Sequence, residues 1–135
     1  MPDPVITLKK WGNTERVRLD ATVEIARARI VPGGYSSLHR HRRKHNYFIV
    51  LSGELEITHV VGIEDLGVDE TLRYVLKPGD NLSPLTVVAA DRWHRFKALT
   101  HVDVLEVYTS ADGSPVDPDD IERQDEGGVD LESVP

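Results

Sequence analysis

Residues 33–57, GGYSSLHRHRRKHNYFIVLSGELEI, place three histidines and four basic residues directly before an apolar segment. That segment continues to residue 61 and is interrupted at Gly53, a pattern typical of two strands joined by a tight turn. His39 and His41 are two residues apart, so in a strand their side chains lie on the same face. Three interpretations of the stretch are open: a metal site, an anion-binding site, or a charged strand end that happens to contain histidines.

Strand signals also dominate the rest of the chain. Residues 23–31, 71–80 and 102–110 are rich in β-branched or aromatic side chains, and turn-forming residues such as Pro78-Gly79-Asp80 separate the runs. Residues 62–70 interrupt the pattern and are expected to form an acidic hairpin loop. No amphipathic helix is predicted in the body of the chain. Many short strands without intervening helices indicate an all-β sandwich or barrel.

Length and composition restrict the class of protein. The 135 residues are enough for one domain with its own core. The chain has no cysteine, which excludes disulfides and thiolate metal sites, and no apolar run long enough to span a membrane. Its net charge of −7 argues against nucleic-acid binding. The first residues lack the apolar run of a signal peptide, so a cytoplasmic location is expected.

The composition changes after Ser110, where Asp, Pro, Gly and Glu replace the strand-forming residues. We therefore predict a β-barrel over residues 1–110 and an acidic C-terminal extension over residues 111–135, ordered only near its start. One short helical turn is expected near residues 118–123, and a mobile end is expected beyond Gly127.

A third histidine is the candidate partner of His39 and His41. His94 follows another strand-like run in LTVVAADRWH. Three histidines that converge from two strands inside a barrel can hold Zn, Mn, Fe, Ni or Co as a divalent ion with open positions for a substrate. Histidines that cap strands or lie in a polar core are the alternative.

The spacing of these residues resembles the first sequence motif of the cupin superfamily, G-x5-H-x-H-x3,4-E-x6-G. The matching positions are Gly33, His39, His41, Asn46 and Gly53. Residues 77–96, KPGDNLSPLTVVAADRWHRF, are similar to the second motif and end on His94, although Asp91 stands where the family usually has Gly. The resemblance implies a double-stranded β-helix, or jelly-roll barrel, with a metal bound by His39, His41 and His94.

One position departs from the family pattern in a way that affects the metal. Asn46 occupies the place of a metal-binding Glu. A neutral amide oxygen is a poorer ligand than a carboxylate, so we expect Asn46 to be a weak ligand at most. A site of three histidines and a barrel without metal both remain open.

A closer resemblance is to the cupin domain of type II mannose-6-phosphate isomerases. It covers KKWGNTE (9–15), the histidine-rich stretch, DRWHRF (91–96) and VLEVYTSADGSPVDPDDIERQDE (104–126). The last of these stretches contains acids without an evident metal role. The resemblance implies a homodimer that acts on, or binds, a phosphorylated or nucleotide-linked sugar.

Candidate roles follow for the residues around the metal site. The basic residues Arg42, Arg43 and Lys44 are candidates for contact with a substrate phosphate, the alternative being a solvated loop, and His45 is the candidate catalytic base of an aldose–ketose isomerisation. Two other functions stay open. One is an Fe(II) dioxygenase with three histidine ligands, and the other is a non-catalytic cupin that binds a small ligand, which the loss of the carboxylate at position 46 favours.

Overall fold

The protein is all-β, as predicted. The computed structural model describes residues 5–63, 68–80 and 86–131, and it contains thirteen strands and no α-helix within these ranges. The strands are β1 (Ile6–Lys9), β2 (Gly12–Leu19), β3 (Val23–Ile30), β4 (Gly34–Tyr35), β5 (His39–Arg40), β6 (Lys44–Ser52), β7 (Leu55–Ile63), β8 (Val68–Leu76), β9 (Val87–Val88), β10 (Trp93–Ala98), β11 (Val102–Ser110), β12 (Glu122–Arg123) and β13 (Gly128–Val129). In this part of the chain, no helix is present that is long and apolar enough to cross a bilayer.

The strands form two antiparallel sheets. One has the order β1-β2-β3-β11-β6-β9. The other has the order β12-β5-β10-β4-β13, and β7 joins it by pairing with β10 and with β8. The crossovers between strands distant in sequence are those of a jelly-roll barrel, the fold implied by the sequence motifs.

The interior of the barrel is apolar at one end and polar at the other. The inward residues of β6 change from Val50 and Phe48 to Asn46 and Lys44, and those of β11 change from Val104 to Glu106. The register pairs Val104 with Val50, Glu106 with Phe48 and Tyr108 with Asn46, so the polar residues begin one pair earlier on β11 than on β6.

The opposite sheet has the same division. Leu55 and Ile57 on β7 face Ala98 and Phe96 on β10, and the next pair inward is His59 with His94. Each fully buried large apolar side chain contributes about 1.5–3 kcal/mol to folding. The apolar end therefore provides most of the stabilisation by burial, and the polar end is the candidate location of a functional site.

The predicted hinge between β6 and β7 is present at Gly53. Its φ is 89°, and a Cβ there would lie 2.1 Å from the carbonyl oxygen of His101. Only glycine fits such a position.

Two local predictions differ from the structure. Residues 62–70 are mostly strand rather than loop, since β7 continues to Ile63 and β8 begins at Val68, and the remainder of the predicted loop lies outside the described residues. The helical turn expected near residues 118–123 is wrong, because a turn at 118–119 leads into strand β12. Backbone pairing with β5 outweighs the weak local preference for a helical turn.

The C-terminal segment is also more ordered than the sequence indicates. Beyond Gly127, β13 pairs with β4, and the carboxylate of Asp130 lies 3.1 Å from Nζ of Lys97. Acidic residues in this segment form ion pairs with basic residues of the barrel, and these contacts compensate for a composition that is poor in strand-forming residues. The boundary at Ser110 stays a prediction.

Candidate metal centre

The three candidate histidines meet inside the polar end of the barrel. β5 and β10 pair so that His39 lies opposite His94, and His41 follows directly after β5. The side-chain nitrogens of the three residues that can act as ligands lie within 4.8 Å of one another. All three side chains are buried, with exposed fractions of 6% or less. The i, i+2 spacing and the β5–β10 pairing together produce this convergence.

Each imidazole is oriented by a backbone carbonyl. The Nδ1 atom is 2.7 Å from Ser37 O in His39, 2.8 Å from Asp120 O in His41 and 2.9 Å from Arg92 O in His94. A neutral imidazole that donates from Nδ1 keeps the lone pair of Nε2 free for a metal.

Two of the three remaining ring nitrogens have no hydrogen-bond partner among the described residues. Nε2 of His41 and Nε2 of His94 are buried and make no hydrogen bond within the described part of the chain. A buried polar atom left unpaired costs about 1–3 kcal/mol, a cost that a bound cation removes. The donor set is therefore that of a divalent metal site.

Burial also keeps the three side chains in the form that binds metal. Removal from water lowers the pKa of His39, His41 and His94 to about 3 in each case. The neighbouring imidazoles lower the pKa values further, because a second positive charge in the cluster is unfavourable. All three histidines are thus neutral at physiological pH, and metal binding does not have to displace protons from them.

The backbone of Asp91 shows how the chain accommodates an aspartate where the second motif usually has glycine. Its φ is 67°, in the left-handed region where glycine is favoured and Asp is tolerated better than most residues. Its backbone N–H donates to the carbonyl oxygen of His41 at 2.6 Å. The residue therefore keeps the turn of the motif and ties it to one of the histidines.

Asn46 is fully buried on the inward face of β6, opposite Tyr108 in the register. Neither its Oδ1 nor its Nδ2 completes a hydrogen bond of ordinary geometry within the described residues. The predicted weak coordination by Asn46 stays a prediction. Because Asn46 is neutral, a divalent ion held by three neutral histidines would keep its full charge.

A cavity of about 640 Å³ gives access to the centre. His39 and His41 form part of its wall, together with Glu24, Lys44, Glu106 and Tyr108. Trp11 and Phe96, packed edge to face with ring centroids 5.0 Å apart, provide an apolar part of the wall. The space is large enough for a small organic molecule in contact with the histidines.

Lys44 points into this cavity rather than toward solvent. Its side chain is 3% exposed, and Nζ lies 3.1 Å from the carboxylate of Glu24 and 2.9 Å from Asp117 O. The ammonium group also lies 4.4 Å from the centre of the Tyr108 ring. The charge of this buried ammonium group is therefore already balanced by Glu24, and the protein already provides it with hydrogen-bond acceptors.

Glu106 is a carboxyl group in the cavity wall that forms no salt bridge among the described residues. It is buried, and its contact of ordinary geometry is the hydrogen bond donated by the Tyr108 hydroxyl at 3.1 Å. Burial raises the pKa of Glu106, while the Tyr108 hydroxyl and the adjacent Asn46 amide act in the opposite direction. A carboxyl group in this setting exchanges a proton at higher pH than an exposed one does.

Glu106 and Tyr108 are residues of the site that were not predicted from the sequence. The signal that would have found them is the alternation in VDVLEVYTS (102–110). Glu106 shares its face with Val102 and Val104, and an acid in an otherwise inward-facing series indicates a functional or paired group.

Three predicted residues lie away from the cavity. Alternation puts His45 on the opposite face of β6 from Lys44 and Asn46, and its Nδ1 accepts a hydrogen bond from Ala90 N at 2.9 Å. Arg42 is exposed and paired with Glu122, and Arg43 is also exposed. The roles predicted for these residues stay predictions, and their orientation does not favour them.

His59 extends the row of histidines across the sheet. It lies opposite His94 in the register of β7 and β10, and its Nε2 is 2.6 Å from the hydroxyl of Tyr74. Its Nδ1 is buried without a partner in the described residues, and burial lowers the pKa of His59 to about 4. Because the pairing of β7 with β10 creates this adjacency, the local sequence around His59 does not indicate it.

Comparison with known proteins gives the family of the chain and its structural relatives. Residues 26–108, more than half of the chain, match the family model described as "Cupin domain". Among proteins of curated function, none matches the sequence. Oxalate decarboxylase from Bacillus subtilis at pH 4.6 superposes with a TM-score of 0.68 at 16% identity, over 90% of this chain and 30% of that chain. The oxalate decarboxylase–formate complex from Lactobacillus farciminis gives 0.67 at 15% identity, over 90% and 34% of the two chains.

A further structure of the Bacillus subtilis enzyme, again with a TM-score of 0.68 at 16% identity, covers 90% of this chain and 30% of that chain, and is described in terms of its Mn(II) centres. The present chain thus spans about a third of the length of these solved relatives. At such low identity the similarity concerns the fold.

Proposed function

The chain belongs to the cupin family, and we propose that it binds a small oxyanion at a divalent metal held by His39, His41 and His94 and moves a proton on that ligand. The observation that carries the proposal is the presence, in one cavity, of the histidine cluster and of the buried carboxyl group of Glu106. A metal ion at the histidines would polarise a ligand oxygen and stabilise negative charge that develops on it.

The charge of the centre favours an anionic ligand. The three histidines are neutral, and the group of possible ligands contains no carboxylate. A divalent ion held in this way keeps a net charge of +2, which a carboxylate, an enediolate or a phosphate oxygen would offset.

Glu106 is the group that we assign to proton transfer. It lines the cavity, and Tyr108 orients it by a hydrogen bond at 3.1 Å. An aldose–ketose isomerisation moves a carbon-bound proton between two adjacent carbons and a hydroxyl proton between their oxygens. One carboxyl group can accept the carbon-bound proton and return it to the neighbouring carbon. Burial is the main influence on the pKa of Glu106 and raises it, and the charge of Lys44 offsets this rise only in part.

A sugar phosphate is the substrate class that we favour. The sequence resembles mannose-6-phosphate isomerase cupins in the segments that border the cavity, 9–15 and 104–126. Lys9 and Arg123 line the cavity, and neither forms a salt bridge within the described part of the chain. Burial and the charge of Arg123 both lower the pKa of Lys9, and the charge of Glu106 acts in the opposite direction. These two residues, rather than Arg42 and Arg43, are suited to a phosphate.

Ligand binding without turnover is the second candidate function. Asn46 favours it, since the carboxylate that the family pattern has at this position is missing. The oxalate of the structural relatives provides a useful probe here, because it is a small anion without a transferable carbon-bound proton.

We also propose that the chain is a homodimer. β1 is an edge strand, and its apolar residues Ile6 and Leu8 are 55% and 82% exposed. Exposed apolar edges promote association and are usually covered in the native assembly. Light scattering on the wild type and on Leu8→Lys tests this: a dimer that the substitution weakens supports the proposal, and a monomeric wild type contradicts it.

The test of the function begins with metal content. The wild type should carry close to one metal ion per chain, and His39→Ala and His94→Ala should lose it. Conversion of mannose 6-phosphate to fructose 6-phosphate is then followed by NMR for the wild type and Glu106→Gln. Turnover that Glu106→Gln abolishes supports proton transfer by Glu106. Tight binding of the sugar phosphate or of oxalate without turnover favours the second candidate, and a wild type without metal contradicts both.

A further inference from the structure

The acidic motif near the C-terminus, DDIERQD (119–125), lies along the strand that carries the metal ligands. β12 pairs with β5, which places Arg123 opposite His39 and Glu122 opposite Arg40. The backbone N–H of Gln124 then donates to Leu38 O at 2.9 Å. The motif thus follows the whole length of β5.

Asp120 fixes the chain at the end of β5 that carries His41. Its carboxylate accepts hydrogen bonds from Arg42 N at 3.0 Å and from Arg43 N at 2.9 Å. Its own carbonyl oxygen accepts from Nδ1 of His41 at 2.8 Å. One residue therefore anchors the loop after His41 and also sets the orientation of the His41 ring.

Asp125 fixes the other end, before His39. One carboxylate oxygen accepts a hydrogen bond from Leu38 N at 2.8 Å, and the other lies 2.5 Å from the guanidinium of Arg95. Arg95 in turn donates from Nε to Ser36 O at 3.0 Å. These contacts hold the loop in which Ser37 O accepts from Nδ1 of His39.

We infer that residues 120–125 act as a clamp that positions His39 and His41 for the metal, so that docking of the clamp and binding of the metal stabilise each other. The inference depends on the metal centre and not on the identity of the substrate. It also gives a role to the acids of the motif, none of which belongs to the group of possible metal ligands.

The physical basis is the pre-orientation of the ligands. Groups that hydrogen-bond to metal-binding histidines fix the tautomer and the ring plane, and their loss typically reduces metal affinity by about 10–100-fold. The coupling is reciprocal by thermodynamic necessity, because a clamp that improves metal binding is itself stabilised by the metal to the same extent. The clamp is held mainly by hydrogen bonds at a partly exposed surface, so its local opening is expected to cost less than global unfolding.

The first experiment measures Zn²⁺ affinity by competition with a chelator. Asp120→Ala and Asp125→Ala should each raise the Kd by about 10–100-fold. Asp119→Ala is the matched control, since it removes the same charge from a neighbouring residue whose carboxylate has no partner among the described residues, and its Kd should stay within about twofold of wild type. Asp120→Asn keeps one acceptor oxygen and should fall between wild type and Asp120→Ala. Equal affinities for Asp120→Ala and Asp119→Ala would overturn the inference.

The second experiment uses the wild type alone and does not depend on the folding of a variant. Hydrogen exchange of the backbone amides of Leu38, Arg42, Arg43 and Gln124 is compared with and without Zn²⁺. The clamp predicts slower exchange at these amides when the metal is bound, above all at Gln124, which is distant in sequence from all three ligands and donates to Leu38 O. Exchange rates that do not change on metal binding would contradict the coupling, even if the affinity of Asp120→Ala is reduced.

Discussion

His39 and His94 face each other directly across β5 and β10, with their ring centroids 4.3 Å apart. The two residues are far apart in sequence, and the pairing of a two-residue strand with a six-residue strand brings them together. Because β5 is so short, its position relative to β10 depends on the contacts at both of its ends. The geometry of the metal centre therefore depends on the loops and on the C-terminal segment that contact β5.

Metal should stabilise the wild type, but it should not stabilise a variant that lacks one ligand. A metal at 100 times its Kd raises the free energy of unfolding by about 2.7 kcal/mol. We therefore expect metal to raise the Tm of the wild type and of His101→Ala. His101 is exposed and lies outside the cluster. His94→Ala should show no increase. A metal-dependent rise in Tm for His94→Ala would place the metal elsewhere.

The metal-free protein should lose stability as the pH falls below about 6.5. Burial lowers the pKa of His39, His41 and His94 to about 3 in the folded state, whereas in the unfolded chain the value is about 6.5. Between these two values the unfolded state binds more protons, so acidification favours unfolding.

The expected change in the free energy of unfolding per pH unit is large enough to measure by urea unfolding. Each buried histidine contributes up to about 1.4 kcal/mol per pH unit between pH 6.5 and pH 3. His39→Ala should reduce the slope by one such increment. A slope that is the same in His39→Ala and in the wild type would mean that His39 is not held neutral in the folded protein.

Glu106→Gln should separate proton transfer from metal binding. The substitution preserves the shape of the side chain and removes the ionisable group, and Glu106 is not a member of the ligand cluster. We therefore expect Zn²⁺ affinity to stay within about twofold of the wild type, while any turnover of a sugar phosphate is lost. Calorimetric titration with metal checks the first expectation. A large loss of Zn²⁺ affinity would instead identify Glu106 as a ligand in the loaded protein.

Some features of the site could be predicted from local sequence, because they depend only on strand geometry. The i, i+2 spacing predicts that His39 and His41 share a face, and the same alternation predicts that His45 and Asn46 do not. The structure agrees on both points. His94 was a candidate because it follows a strand-like run and ends the stretch similar to the second motif, but no periodicity connects β10 to β5.

Other features depend on the order of strands in the sheets. Glu106, Lys44 and Glu24 meet because β11 lies between β3 and β6. This order of strands cannot be inferred from the periodicity of single strands. The C-terminal segment has low strand propensity, and its path is decided by partners about 80 residues earlier, as with Asp120 and the loop after His41. Sequence alone therefore indicated the ligands but not the groups that support them.

Restoring the carboxylate at position 46 should strengthen metal binding and lower the stability of the metal-free protein. Asn46→Glu adds a negative charge where the family pattern has its acidic ligand, and we expect the Kd for Zn²⁺ to fall by about tenfold or more, equivalent to about 1.4 kcal/mol. Without metal, the new charge is buried beside Glu106, so the free energy of unfolding should decrease. Asn46→Gln is the control for the added volume. Equal Zn²⁺ affinity for the Glu and Gln variants would show that the side chain at position 46 does not reach the metal.

Breaking the buried pair between Lys44 and Glu24 should cost far more than breaking an exposed pair. Lys44→Met leaves the Glu24 carboxylate buried, with only the guanidinium of Arg16 at 3.7 Å to compensate it, and we expect a loss of about 3–5 kcal/mol in the free energy of unfolding. Arg18→Ala removes the exposed pair with Asp20 and should cost at most about 1 kcal/mol. Chemical denaturation of both variants at neutral pH provides the comparison. Similar losses in the two variants would mean that water reaches the Lys44 pair and that the polar end of the barrel is wetter than its burial indicates.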